Sequence, residues 1–196
     1  MAAELAELVV ADAQAWRAWL GEHHADEPGV WLVLHKKGGA VTTLTYDDAL
    51  DEALCFGWID GQVGRRDDGS YRQRFTPRVK RSPWSQRNRE LVARLTAAGL
   101  MQPAGLAAVE AAQADGRWER AYARQSEAVV PDDLAAAIAA SPPAQATFDG
   151  LNAVNRFALI YRVGSVKRVD TRERKIAQFV AMLERGETIH PQVRRS

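Results

Sequence analysis

Cysteine is nearly missing from this sequence, and the shortage limits its chemistry. Cys55 is the only one in 196 residues. No intrachain disulfide can form, and a thiolate zinc cage within one chain is excluded. One free thiol fits a reducing compartment. Long apolar runs are missing too. No stretch approaches the ~20 apolar residues of a membrane helix, so no membrane insertion is expected. The opening residues, Met-Ala-Ala-Glu-Leu-Ala-Glu, are acidic and lack the basic-then-apolar order of a secretory signal. These absences make the expected location cytoplasmic. Histidine is scarce, and the adjacent His23 and His24 point apart on a helix. No His-x-x-x-His spacing occurs, so no metal is expected. There is no phosphate loop, dinucleotide fingerprint or nucleophile elbow, and no cofactor is expected.

What is present is ordinary in bulk and uneven in detail. Hydrophobic residues make up 46% and charged residues 26%, which suits a globular chain able to bury a core without staples. The net charge of +1 conceals a segregation. Residues 1–60 carry 11 acidic and 3 basic side chains, and residues 61–94 carry 10 basic and 3 acidic. An anion-seeking face is one consequence; mutual cancellation between neighbouring blocks is the other.

The periodicity divides the chain. Asp12 caps a first helix whose face holds Trp16, Trp19, Leu20 and His23. Val30 to His35 reads as a buried strand, with Val41 to Leu44 pairing back after a Gly-Gly turn. Thr45-Tyr-Asp-Asp48 has the form of a capping box. A strand from Phe56 to Arg66 meets Asp68-Gly69, a type I′ hairpin signal, and Tyr71 to Thr76 returns. That strand sets Tyr71, Gln73 and Phe75 on one face and Arg72, Arg74 and Thr76 on the other. Helical periods follow, opened by Ser82-Pro83, Pro103, Pro131, Ser141-Pro142 and either Asn152 or Asn155. The last stripe is Ile176, Phe179, Val180 and Leu183, and the tail from His190 is expected to fray. The expected class is α+β, a small antiparallel sheet with flanking helices followed by a helical part. The expected domains are 1–127 and 128–190, the second a helical module.

Two motifs invite a functional reading. In Phe56-Gly-Trp-Ile-Asp-Gly61, glycines permit close backbone approach, and Asp60 sits among apolar neighbours where a carboxylate needs a partner. Asp60 is either a base or ligand anchor, or a structural carboxylate bonded to backbone amides or an arginine. In the 72–88 segment, Arg72, Arg74, Arg78, Lys80 and Arg81 precede a helix start, where free N–H groups and a partial positive charge favour anions. Ser82, Ser85 and Asn88 add neutral hydrogen-bonding groups. Trp84 is either a stacking face or a core residue.

These blocks resemble the bacterial YdeI/OmpD-associated, or bacteriocin-protection, family. The resemblance rests on Trp31-Leu32, Tyr46-Asp47-Asp48-Ala49, Glu52 to Gly61, Gln73 to Arg78 and Ser82-Pro-Trp-Ser85 with Asn88. Downstream it includes Asp115-Gly-Arg-Trp118 and the block from Pro131 to Gly186, with Asn155-Arg156 and Met182 to Gly186. It implies a role in stress or antimicrobial-peptide protection and an association with outer-membrane porins, and carries over no catalytic residues. The lack of an export signal argues against direct porin contact.

Three readings remain. The first is a binding module for a small anionic ligand, using Arg74, Arg78, Lys80, Ser82, Trp84, Ser85 and Asn88, with Asp60 nearby. The second is a nucleic-acid binder using the basic aromatic hairpin 65–94, against which the near-neutral whole chain speaks. The third is an enzyme with Asp60 as general base toward a substrate anchored by the arginines.

Overall fold

A computed structural model of the protein describes residues 5–122, 128–166 and 168–192. The chain divides into two compact units, Met1–Ala121 and Tyr122–Ser196. Among the described residues, the first contains a four-stranded sheet and four helices, the second four helices.

The sheet comprises β1 (Glu7–Leu8), β2 (Val30–His35), β3 (Trp58–Arg65) and β4 (Ser70–Pro77), in the order β1-β2-β4-β3. β2, β4 and β3 are antiparallel neighbours, while β1 runs parallel to β2. The class is α+β as expected, but the sheet is mixed rather than wholly antiparallel. A crossover through α1 (Ala13–His23) returns the chain in the direction of β1. Two residues are too few to show an alternation. Val41 to Leu44 forms no strand. The Thr42 and Thr43 hydroxyls donate to Ala11 O, and Leu44 N–H donates to Thr42 Oγ1. Those bonds replace a ladder.

The hairpin also departs from its signal. A type I′ turn needs positive φ at both central residues. Neither Asp68 nor Gly69 has it. Instead Asp67 Oδ1 accepts from Gly69 N and Ser70 N, closing a four-residue loop with an Asx turn.

One sheet face carries the core. Asp12 caps α1 by accepting from Ala15 N at 2.8 Å. Thr45 caps α2 (Tyr46–Cys55) by accepting from Asp48 N, while its hydroxyl donates to the Asp48 carboxylate. From these helices Trp16, Leu20, Leu50 and Leu54 pack with Leu32, Leu34, Trp58 and Phe75 of the sheet. Trp16 Nε1 donates to Ala49 O and Trp58 Nε1 to His24 O, so each indole is buried with its donor used. Cys55 is buried here, and burial pushes its thiol pKa up. Phe56 and Gly57 alone join α2 to β3. Gly57 holds φ at +74°, and a Cβ there would lie 2.8 Å from Ala104 O.

α3 (Gln86–Ala97) and α4 (Pro103–Ala114) pack on α2. Ser85, not Ser82, caps α3, accepting from Asn88 N at 3.1 Å. The Ser82 hydroxyl instead accepts from Val79 N in the preceding turn. Pro83 therefore lies before the helix rather than in its first turn.

The second unit consists of α5 (Asp132–Ala139), α6 (Pro142–Asp149), α7 (Ala153–Gly164) and α8 (Val169–Glu184). Leu134, Ile138, Phe148, Leu159, Val163, Ile176, Phe179 and Leu183 make its core. Asn152 is the N-cap of α7. Asn155, fully buried, has another task. Its Oδ1 accepts from His190 N at 2.8 Å, and its Nδ2 donates to His190 O at 3.0 Å and Gln192 Oε1 at 2.9 Å. Gln192 also accepts from Asn152 N and donates to Gly150 O. The tail expected to fray is clasped through residue 192.

Candidate anion-binding face

Strand alternation decides which predicted side chains meet. On β4, Gln73 and Phe75 turn into the core and are 2% and 0% exposed. Arg72 and Arg74 turn to the outer face. There β2 sets Val33 opposite Arg72 and Trp31 opposite Arg74, and β3 sets Gly64 opposite Arg72. The Arg72 guanidinium lies over the Trp31 ring, 4.8 Å from its centroid.

Two glycines of β3 make room for these arginines. A Cβ on Gly64 would sit 2.8 Å from Arg72 Cγ and Nε and 3.2 Å from Trp31 Cζ3. A Cβ on Gly61 would meet the Arg74 stem at 3.7 Å. The stems thus lie in a trough over β3, and packing against it reduces the rotamer entropy left to lose on binding. Arg72 Nε and Arg74 Nε are buried and, among the described residues, have no hydrogen-bond acceptor.

Three of the ten basic side chains in residues 61–94 are neutralised by the acidic block before them. Arg66 pairs with Glu7 at 2.8 Å, Arg87 with Asp47 at 2.7 Å, and Arg94 with Asp51 at 2.5 Å. Among the described residues no carboxylate pairs with Arg65, Arg72, Arg74, Lys80 or Arg81. Cancellation is therefore real but incomplete, and it spares the outer face of β4.

The other predicted residues lie elsewhere. Asp60 faces Phe75 across the ladder, so it shares the helix-covered side of the sheet and Arg74 does not. Its Oδ2 accepts from the Tyr46 hydroxyl at 2.8 Å. Burial, then the adjacent carboxylate, pushes the Tyr46 phenol above its ordinary pKa. The partner of Asp60 is thus a tyrosine from α2, neither a backbone amide nor an arginine. A substrate held by Arg72 and Arg74 would lie across the sheet from Asp60, which separates the proposed base from its anchors. Next to Asp60 the β3–β4 register shifts, and Gln73 Nε2 donates to Gly61 O at 2.8 Å across this bulge.

Arg78, Ser82, Trp84, Ser85 and Asn88 belong to the connection into α3. Trp84 is 2% exposed, sits edge-on to Trp118 at 4.8 Å, and has the Arg78 guanidinium 3.6 Å from its ring centroid. A base could stack on that face only by displacing Arg78. Arg78 donates to Pro83 O, and Arg117, paired with Asp115, donates to Ser82 O. Two arginines thereby fix the backbone of the loop. Ser85 and Asn88 are buried, while Lys80 and Arg81 are exposed on the loop itself. Sequence reasoning named Arg74 but missed Trp31 and Gly64. The alternation on β4 was visible; the register that sets Trp31 and Gly64 beside it was not.

An α+β unit with one helix-covered sheet face and one arginine-bearing face, followed by a helical unit, is the class this chain defines. Residues 8–108, 101 of the 196, match the family described as a domain of unknown function (DUF8412), and the chain belongs to that family. Residues 127–186 match the family described as bacteriocin-protection, YdeI or OmpD-associated. The resemblance to that family is thus shown for the C-terminal segment, while the earlier blocks carry their own family description. No curated protein and no solved structure matches the chain. Among the described residues no helix is long and apolar enough to cross a membrane, and no cluster of His, Cys, Asp and Glu could hold a metal ion.

Proposed function

We propose that this protein, related to bacteriocin-protection proteins through residues 127–186, works by binding a small phosphate or carboxylate anion on the outer face of its sheet. One observation carries the reading. Arg72 and Arg74 lie side by side in a glycine-floored trough and, among the described residues, have no carboxylate partner, while Arg66, Arg87 and Arg94 of the same segment are paired. A guanidinium presents a planar fork of donors that matches either anion. Arg72 lies over the Trp31 ring, 4.8 Å from its centroid, and this packing restricts where its fork can go. Compared with the 72–88 segment as a whole, this centres the site on β4 and leaves Trp84, Ser85 and Asn88 to the packing of α3.

The test is calorimetric titration with inorganic phosphate, sugar phosphates and dicarboxylates, paired with thermal midpoints, because a ligand of the native state raises the midpoint by mass action. Arg74→Ala is expected to weaken binding at least about tenfold, the loss of one charge-assisted hydrogen bond. Arg94→Ala, which removes a paired arginine, should leave it unchanged. Equal affinity in wild type and Arg74→Ala would place any anion elsewhere.

A further inference from the structure

β3 is an edge strand, and its free side adjoins the arginine trough. Among the described residues β4 is its only strand neighbour. The direction of each backbone group follows from the ladder. Arg78 N donates to Gly57 O, and Lys36 N to Gly69 O, which fixes the alternation on both sides of β4. Phe75, Gln73 and Tyr71 bond toward β2, whereas Thr76, Arg74 and Arg72 bond toward β3. Gly64, opposite Arg72, therefore bonds inward. Val63 and Arg65 turn their N–H and C=O groups to the free edge.

That edge is accessible and basic. Val63 is 69% exposed, and Arg65 is exposed with no carboxylate paired to it among the described residues. The other sheet edge is blunted, because β1 has two residues and carries Glu7, paired with Arg66. On the outer face β3 has only hydrogen where the Gly61 and Gly64 side chains would be. No side chain from those positions stands between an added strand and the stems of Arg74 and Arg72, which already reach over β3.

We propose that the β3 edge from Val63 to Arg65 accepts an extended acidic peptide. Main-chain bonds to Val63 and Arg65 add a strand; the acidic side chain beside Gly64 meets Arg72, and the next on that face, from the peptide beyond the paired stretch, reaches toward Arg74. The inference rests on the anion reading of the same arginines and names a peptide as its occupant. Main-chain pairing supplies affinity in such an arrangement and the alternate side chains supply selection. The bulge between Asp60 and Val63 limits the added strand to the stretch beyond it, so the segment recognised is short.

The experiment uses the full chain and a fluorescently labelled hexapeptide of alternating Glu and Val. Its alternating Lys and Val counterpart and inorganic phosphate are titrated in parallel. The acidic peptide should bind at least about tenfold more tightly than the basic one. Val63→Pro removes one outward N–H, at an edge where proline is tolerated. It should weaken the peptide at least about tenfold and leave phosphate affinity intact. A peptide N-methylated at alternate positions gives the same readout without altering the protein, should Val63→Pro fold poorly. Equal binding of acidic and basic peptides, or no loss on N-methylation in either register, overturns the inference. Phosphate binding lost in Arg74→Ala, with no peptide binding, overturns the strand addition alone. Failure of both ligands overturns the anion reading as well.

Discussion

Replacing Asn155 by Ala tests how the second unit holds its end. The side chain is fully buried and makes three hydrogen bonds to the tail, two to His190 and one to Gln192. Each net bond contributes about 1 kcal/mol, and a buried group left without a partner costs about 1–3 kcal/mol. The tail can swing out and rehydrate, which relieves part of that penalty. A loss of about 3 kcal/mol follows, and for a chain of this size it lowers the thermal midpoint by roughly 6–12 °C. Hydrogen exchange reads the same event locally. The His190 N–H now donates to Asn155 Oδ1; without that acceptor it should exchange roughly a hundredfold faster, the factor set by 3 kcal/mol of lost protection. Asn155→Asp keeps the acceptor but loses the donors and buries a charge, so it should be at least as damaging. An unchanged midpoint together with unchanged His190 exchange in Asn155→Ala would refute the clasp.

Other outcomes follow from the first unit. Gly64→Ala puts a methyl 2.8 Å from Arg72 and 3.2 Å from Trp31; it should cost about 1–3 kcal/mol by overpacking and weaken anion binding with no change in charge, read by denaturation and calorimetry. Trp84→Ala empties a core position between Arg78 and Trp118 and should cost about 3–5 kcal/mol in urea unfolding. The raised pKa of Tyr46 makes a statement about alkaline stability. Its folded phenol holds the proton more tightly than the unfolded one. The stabilisation is therefore complete below the unfolded pKa of 10.0 and is lost as pH rises from there through the folded value. Tyr46→Phe should flatten this decline, and Asp60→Asn should move the phenol titration, followed by ultraviolet absorbance, to lower pH.

The parts legible in the sequence were those whose cause is local. Asp12, Thr45 and Asn152 cap helices through side chains that reach only three residues ahead, so a short window contains the whole interaction. The alternation of Arg72 and Arg74 against Gln73 and Phe75 is likewise a property of one strand. What escaped reading was pairwise and distant. Ser82-Pro83 reads as the helix start by pattern, yet Ser85 is the cap, and packing of Trp84 on Trp118 accompanies that choice. Asn155 looked like a second cap for α7, because its real partner is 35 residues away. The site was half legible for the same reason. Its charges sit in one segment, but their freedom depends on which carboxylates the fold delivers to Arg66, Arg87 and Arg94 and, among the described residues, not to Arg72 and Arg74.

The two-residue connection between α2 and β3 has a consequence for how this family can vary. It joins a period of 3.6 residues to a period of two with almost no slack. Adding or removing one residue at Phe56-Gly57 would invert the parity of β3 and turn Asp60 away from Tyr46, or else rotate α2 by a third of a turn against the core. Length change here is therefore a phase error rather than a loop adjustment. The hairpin tip at residues 66–69 is held by side-chain bonds that do not set strand parity, while this connection, closed against Ala104, acts as the index mark from which both faces of the sheet are counted.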